Sequence, residues 1–132
     1  MYQLFRIILF LSFIVLSLKF NAQANLTIQN NSKRLMTVKV MKGYGEGDLY
    51  KTVSIDAFGS RTIYFTESGY YFTKSKAVLS GKDPIYRKGD PFDVRNDSFG
   101  YSELVLTFSI TESNVPKASG GRQISKSEFD KN

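Results

Sequence analysis

Glu103-Leu104-Val105-Leu106-Thr107-Phe108-Ser109-Ile110 decides the fold, because large apolar side chains at 104, 106, 108 and 110 alternate with Glu, Val, Thr and Ser. A period of two belongs to a strand, whose successive side chains point to opposite faces, so one face is buried and the other is wet. The same alternation recurs upstream. Met36, Val38 and Val40 alternate with Thr37 and Lys39, and Ile63 and Phe65 alternate with Thr62, Tyr64 and Thr66. β-Branched and aromatic residues dominate these runs, as a pleated, half-buried surface prefers. The apolar phase predicts that Ile63, Phe65, Leu104, Leu106, Phe108 and Ile110 are buried.

Turn-forming residues separate the runs: Asn30-Asn31-Ser32, Gly43 to Asp48, Phe58-Gly59, Ser68-Gly69, Gly81 to Pro84, Gly89-Asp90-Pro91 and Asn96-Asp97. Glycine, proline, asparagine and aspartate end strands by supplying turn geometry. They divide the chain into seven expected strands, about 25–29, 35–42, 49–55, 60–66, 69–79, 91–95 and 102–112. No window before the C-terminal stretch holds a helical period. Short strands at this spacing predict an all-β domain, a single antiparallel β-sandwich.

The two ends read differently. Met1 to Arg6 carries a cation, Ile7 to Leu18 is an almost wholly apolar run of 12, and Ala22-Gln23-Ala24 supplies small residues at an exit. These are the parts of a signal peptide. The run is well short of the roughly 20 apolar residues a membrane-spanning helix needs. The expected division is a signal peptide over 1–24, a β domain over 25–113 and a flexible polar tail over 114–132. The tail begins with Val115-Pro116-Lys117-Ala118-Ser119-Gly120-Gly121, a linker composition. Ser125 and Glu128 have capping-box spacing, and Ile124 and Phe129 are the large apolar residues beside them. The expected location is outside the inner membrane: periplasm, cell surface or extracellular space, with no membrane span after cleavage.

Composition narrows the chemistry. The 132 residues include 18 Lys and Arg against 12 Asp and Glu, a net charge of +6, and no His or Cys. Loss of Arg6 and Lys19 with the leader lowers the net charge to +4. A mildly basic surface favours anionic partners without requiring nucleic acid. Without His or Cys, Ser-His and Cys-His catalysis and the usual zinc sites lack their residues. Gly43-x-Gly45-x-Gly47 precedes a strand rather than a helix, so it reads as a hairpin loop and not a phosphate cradle. Asp83, Asp90, Asp93 and Asp97 do not have the alternate spacing of a calcium loop and read as solvated turns. No cofactor or metal is expected.

The densest chemistry lies in Tyr70 to Lys88, where five cations face one acid in 19 residues. Lys74 and Lys76 share one strand face with Tyr70 and Phe72, and Tyr86, Arg87 and Lys88 follow. The expected site is an exposed basic-aromatic patch of Tyr70, Lys74, Lys76, Tyr86, Arg87 and Lys88 that attracts an anionic glycan or an acidic protein surface.

Two stretches carry a resemblance. Tyr71 to Ala77 with Ile85 to Val94, and Pro116 to Gly121 with Ile124 to Asp130, together with the Phe20-Asn21-Ala22-Gln23-Ala24 exit, resemble small secreted proteins of Bacteroidota-type bacteria. That resemblance implies export and brings no activity or site residues. Separately, Glu67-Ser68-Gly69-Tyr70-Tyr71 looks like the Gly-x-Tyr entry to a late strand of immunoglobulin-like and fibronectin-like sandwiches, without their Cys pair or Trp. The resemblance implies architecture alone. The resulting expectation is an exported, non-enzymatic binding or structural module. The alternatives are an inhibitor or immunity-type partner of another secreted protein, and a small hydrolase using carboxylates.

Overall fold

The alternating runs form strands in a computed structural model that describes residues 23–132. In chain order they are β1 (Asn25–Asn31), β2 (Leu35–Lys42), β3 (Asp48–Ile55), β4 (Ser60–Tyr64), β5 (Gly69–Val78), β6 (Ile85–Lys88), β7 (Phe92–Val94), β8 (Asn96–Asp97), β9 (Gly100–Tyr101), β10 (Glu103–Thr111), β11 (Lys117–Ala118) and β12 (Arg122–Gln123), followed by α1 (Lys126–Asp130). The described residues are all-β apart from this short helix. Among the described residues, no helix is long and apolar enough to cross a membrane.

Two larger sheets share one core. The first has the order β11-β10-β1-β4, and the second the order β12-β6-β5-β2-β3. β7 extends the same edge of β5 that β6 occupies. β8 and β9 form a separate hairpin. Leu26 and Ile28 of β1 and Ile63 of β4 meet Met36, Val38, Val40, Val53, Ile55, Tyr71 and Ala77 of the second sheet, with Phe65 among them. Ile63 and Phe65 are buried as their phase predicts. Leu104, Leu106, Phe108 and Ile110 keep the inward phase but are half-buried at the core's margin. Phe108 and Ile110 border a narrow gap between the sheets, with Met36, Ala77 and Ile85 across it.

Three expectations are corrected. First, the sheets are not purely antiparallel: β1 runs parallel to β10, from Asn25 opposite Glu103 to Asn31 opposite Ser109. Parallel neighbours need a long connection, and almost the whole domain supplies it. Second, the strand order differs from the immunoglobulin one. There the first, second, fourth and fifth strands share a sheet; here β1 and β4 lie in one sheet and β2 and β5 in the other. Third, the segment 114–132 is not a loose tail. β11 pairs with β10, β12 pairs with β6, and Ile124 and Phe129 are buried. Ser125 does cap α1, its Oγ accepting from the Glu128 N–H at 3.1 Å.

The expected signal peptide lies outside the described residues except for Gln23 and Ala24. Ala24 is buried, its N–H donates to Asn96 Oδ1 at 3.1 Å, and its carbonyl accepts from the Phe65 N–H at 2.9 Å. Gln23 adds two more, its Nε2 donating to the Phe65 carbonyl and its own carbonyl accepting from Asn25 Nδ2, so a cut after Ala24 removes four hydrogen bonds at the entry to β1.

Buried polar groups are paired. Asn30 Nδ2 donates to the carbonyls of Arg34, Ile55 and Asp56, and Ser32 Oγ donates to Asn30 Oδ1 at 2.6 Å. This ties the β1–β2 turn to the end of β3. Arg34 is fully buried; its guanidinium donates to both Glu112 carboxylate oxygens and to the carbonyls of Ala77 and Asp83. A buried charge survives folding only with such complete pairing.

Candidate functional site

The pleat of the second sheet sorts the six singled-out residues onto different surfaces. Lys74 pairs with Lys88, and Lys76 with Tyr86. Directly opposite side chains share a face, so these four stand on the outer face, opposite the inward Tyr71 and Ala77. Arg87 pairs with Ser75 and turns to the other side, beside Ile85. Tyr70 shares the outer phase but sits at the far end of β5, with its ring 4.8 Å from that of Tyr44. The structure therefore does not bring the six together as one exposed patch.

Lys74 is the clearest departure, being only 3% exposed. The outer face it occupies is itself covered by the C-terminal segment. Its Nζ donates to the Glu128 carbonyl at 3.0 Å and to the Lys131 carbonyl. Lys39 Nζ donates to the Phe129 carbonyl at 2.8 Å and to Asn132 Oδ1 at 2.7 Å, and lies 4.6 Å from the Phe129 ring centroid. The last carbonyls of a helix have no partner within it, and cations are favoured there. α1 has no basic residue in its own last turn. Two lysines of the sheet supply the missing donors. Burial pushes the Lys74 ammonium below its ordinary pKa, and the neighbouring Lys39 charge adds to this, while Glu128 opposes it. Tyr86 is likewise taken up in packing, its ring 5.5 Å from that of Phe129.

Two clefts flank β6. One, of about 370 Å³, lies between the 43–47 loop and α1. Phe72 is in its lining, with Lys74, Lys88 and Lys131 against Glu46 and Glu128. Lys88 Nζ donates to the Gly45 carbonyl at 2.9 Å and stands 4.8 Å from the Phe72 ring centroid. Its charge is therefore largely engaged with the protein.

The other cleft, of about 390 Å³, lies between the 81–84 turn and the C-terminal segment, and its cations are Arg34, Lys82 and Arg87 against Asp83. Arg34 is neutralised by Glu112, whose carboxyl the Arg34 hydrogen bonds hold below its ordinary pKa. Arg87 is not neutralised. Its Nε donates to the Gly120 carbonyl at 2.7 Å and its Nη2 to the Gly121 carbonyl at 2.8 Å. Among the described residues no carboxylate lies within ion-pair distance of Arg87 or Lys82.

The Gly120-Gly121 pair, expected as linker, is what aims these carbonyls. Gly121 has φ 61°, and a Cβ there would lie 1.9 Å from the Lys88 carbonyl oxygen. Only glycine fits so close a backbone approach. Sequence reasoning missed Arg34 and Glu112 because their pairing spans 78 residues. It missed the covering role of the C-terminal segment, although Ile124 and Phe129 in a polar stretch were the signal.

The chain matches no protein-family model and no curated protein.

Proposed function

We propose that this chain is an exported, non-enzymatic binding module, a two-sheet β-sandwich that holds an anionic glycan in the cleft beside Arg87. The observation that carries this reading is the Arg87 guanidinium itself: half-buried, fixed by two backbone carbonyls and left without a counter-charge. Arginine has five N–H donors, and the two named bonds leave three for a ligand. A planar guanidinium matches a carboxylate or sulfate in paired hydrogen bonds. Fixing it in advance removes part of the ordering cost of binding. Lys82 supplies a second unpaired cation to the same cleft.

The test is a calorimetric titration with hexagalacturonate, whose units carry carboxylates, beside its fully methyl-esterified form, which carries none. Hexagalacturonate should bind, more weakly as salt rises, while the ester should not. Arg87→Ala should weaken binding about tenfold, since charge-assisted hydrogen bonds contribute about 1.5–3 kcal/mol. Equal binding of acid and ester, or an Arg87→Ala variant that binds like the parent, would sink the reading.

A further inference from the structure

Phe58 is, among the described residues, the one non-glycine position with positive φ, at 58°. A left-handed backbone crowds the Cβ, and a bulky aromatic there is a true outlier. Such outliers persist where the surroundings over-determine them, and they cluster at ligand sites. The surroundings here do fix the turn: the Phe58 N–H donates to the Ser32 carbonyl at 3.1 Å, the Gly59 N–H to the Asp56 carbonyl at 2.9 Å, and the Asn30 N–H to the Gly59 carbonyl at 2.9 Å. The strain is not offset by packing, because Phe58 remains 67% exposed.

What the ring borders is a cleft of about 320 Å³ at one end of the first sheet, lined by Gln29, Asn31, Ser60 and Thr107. Those walls carry amides and hydroxyls and no ionisable group. Thr107 Oγ1 donates to Gln29 Oε1 at 3.0 Å, which turns the Gln29 amide nitrogen away from that bond. The neutrality extends beyond the cleft. The outward positions of β1, β4 and β10 are the phase of Thr27, Gln29, Thr62, Val105 and Thr107, and of these positions only Glu103 carries a charge among residues 25–31, 60–64 and 103–109. Lys117 of β11, opposite Thr111, is the other charge on this sheet's outward phase, so the uncharged stretch is the one around the cleft, between Glu103 and Thr111.

We propose that this cleft binds a neutral saccharide chain, with one pyranose stacked on the Phe58 ring and its hydroxyls bonded to Gln29, Asn31 and Ser60. A pyranose offers an apolar C–H face for an exposed ring and a rim of hydroxyls that both donate and accept. It carries no charge, and a surface without charge pays nothing to desolvate ions when it binds one. Concave sites combine an apolar platform with a few fixed polar groups in this way. The site shares no residue with the Arg87 cleft, so the two proposals stand or fall separately.

The experiment is ligand-observed NMR and titration with cellohexaose, xylohexaose and maltohexaose, using the parent, Phe58→Gly and Arg87→Ala. At least one hexasaccharide should bind the parent, with an affinity unchanged between low and high salt and unaffected by Arg87→Ala. Phe58→Gly should raise the thermal midpoint, since glycine accepts the φ without strain, and weaken binding at least tenfold. The proposal is overturned if none of the three sugars binds, if Phe58→Gly binds like the parent, or if that variant melts below it.

Discussion

Phe129→Ala tests whether the C-terminal segment is part of the folded domain. Phe129 is 5% exposed, packs on Tyr86 at 5.5 Å and has the Lys39 ammonium 4.6 Å from its ring centroid. Truncating a buried Phe to Ala costs about 3–5 kcal/mol. The lower end applies here, because the ring lies under a five-residue helix that can settle into the space. The cation beside the ring adds about 0.5–1 kcal/mol, so the expected loss is about 3.5–4 kcal/mol. One kcal/mol shifts Tm by roughly 4 °C at this domain size, which gives a fall of about 14–16 °C. Thermal denaturation followed by circular dichroism measures it, and limited proteolysis within 117–132 should accelerate in parallel. A midpoint within about 2 °C of the parent would mean that the segment is only a tail and that the reasoning is wrong.

Lys74→Glu should unfold the domain or lower its stability by about 3 kcal/mol or more, because it aims a buried carboxylate at the carbonyls of Glu128 and Lys131. Lys74→Met keeps the length and leaves those carbonyls unpaired, so it should cost about 1–3 kcal/mol; equal urea midpoints for parent and Lys74→Glu would contradict the capping role. Glu112 is held below its ordinary pKa mainly by hydrogen bonds from Arg34. Its folded form therefore releases its proton more readily than the unfolded chain, so its contribution is present above the usual carboxylate pKa and is lost as pH falls through the folded value. Glu112→Gln should lower Tm at neutral pH and flatten the fall in Tm below about pH 4.3, the ordinary Glu value; an acid slope identical to the parent's would refute this assignment.

Period-two alternation was enough to find which residues face inward. Ile63, Phe65 and the 104–110 series all take the side their phase assigns. Alternation names a face, however, and not the neighbour across the ladder. Nothing local distinguishes β1 beside β2 from β1 beside β10. Lys74 shows the same limit: its phase is outward, yet the outward surface is covered by residues some 54 positions later. The basic-aromatic cluster was legible as composition, while its division between Lys74, Lys76, Tyr86 and Lys88 on one side and Arg87 on the other required the register of β5 and β6. Gly120-Gly121 was read as freedom, and only the approach of the Lys88 carbonyl shows it as close fit. Phe58-Gly59 was legible as a turn, but the positive φ falls on the aromatic and not on the glycine.

The parallel pairing of β1 with β10 sets an order of events during folding. Asn31 meets Ser109 across 78 residues, so the first strand keeps one edge open until nearly the whole chain has folded. The β2–β3 hairpin, joined by a short loop from Gly43 to Gly47, can close long before that. Contacts so distant in sequence slow folding, and an open strand edge in the interval invites pairing with other chains. β4 can cover one edge of the Asn25–Asn31 strand in that interval, but the edge that β10 takes stays open, so crowding of chains that have not finished folding should harm this protein chiefly through that one edge.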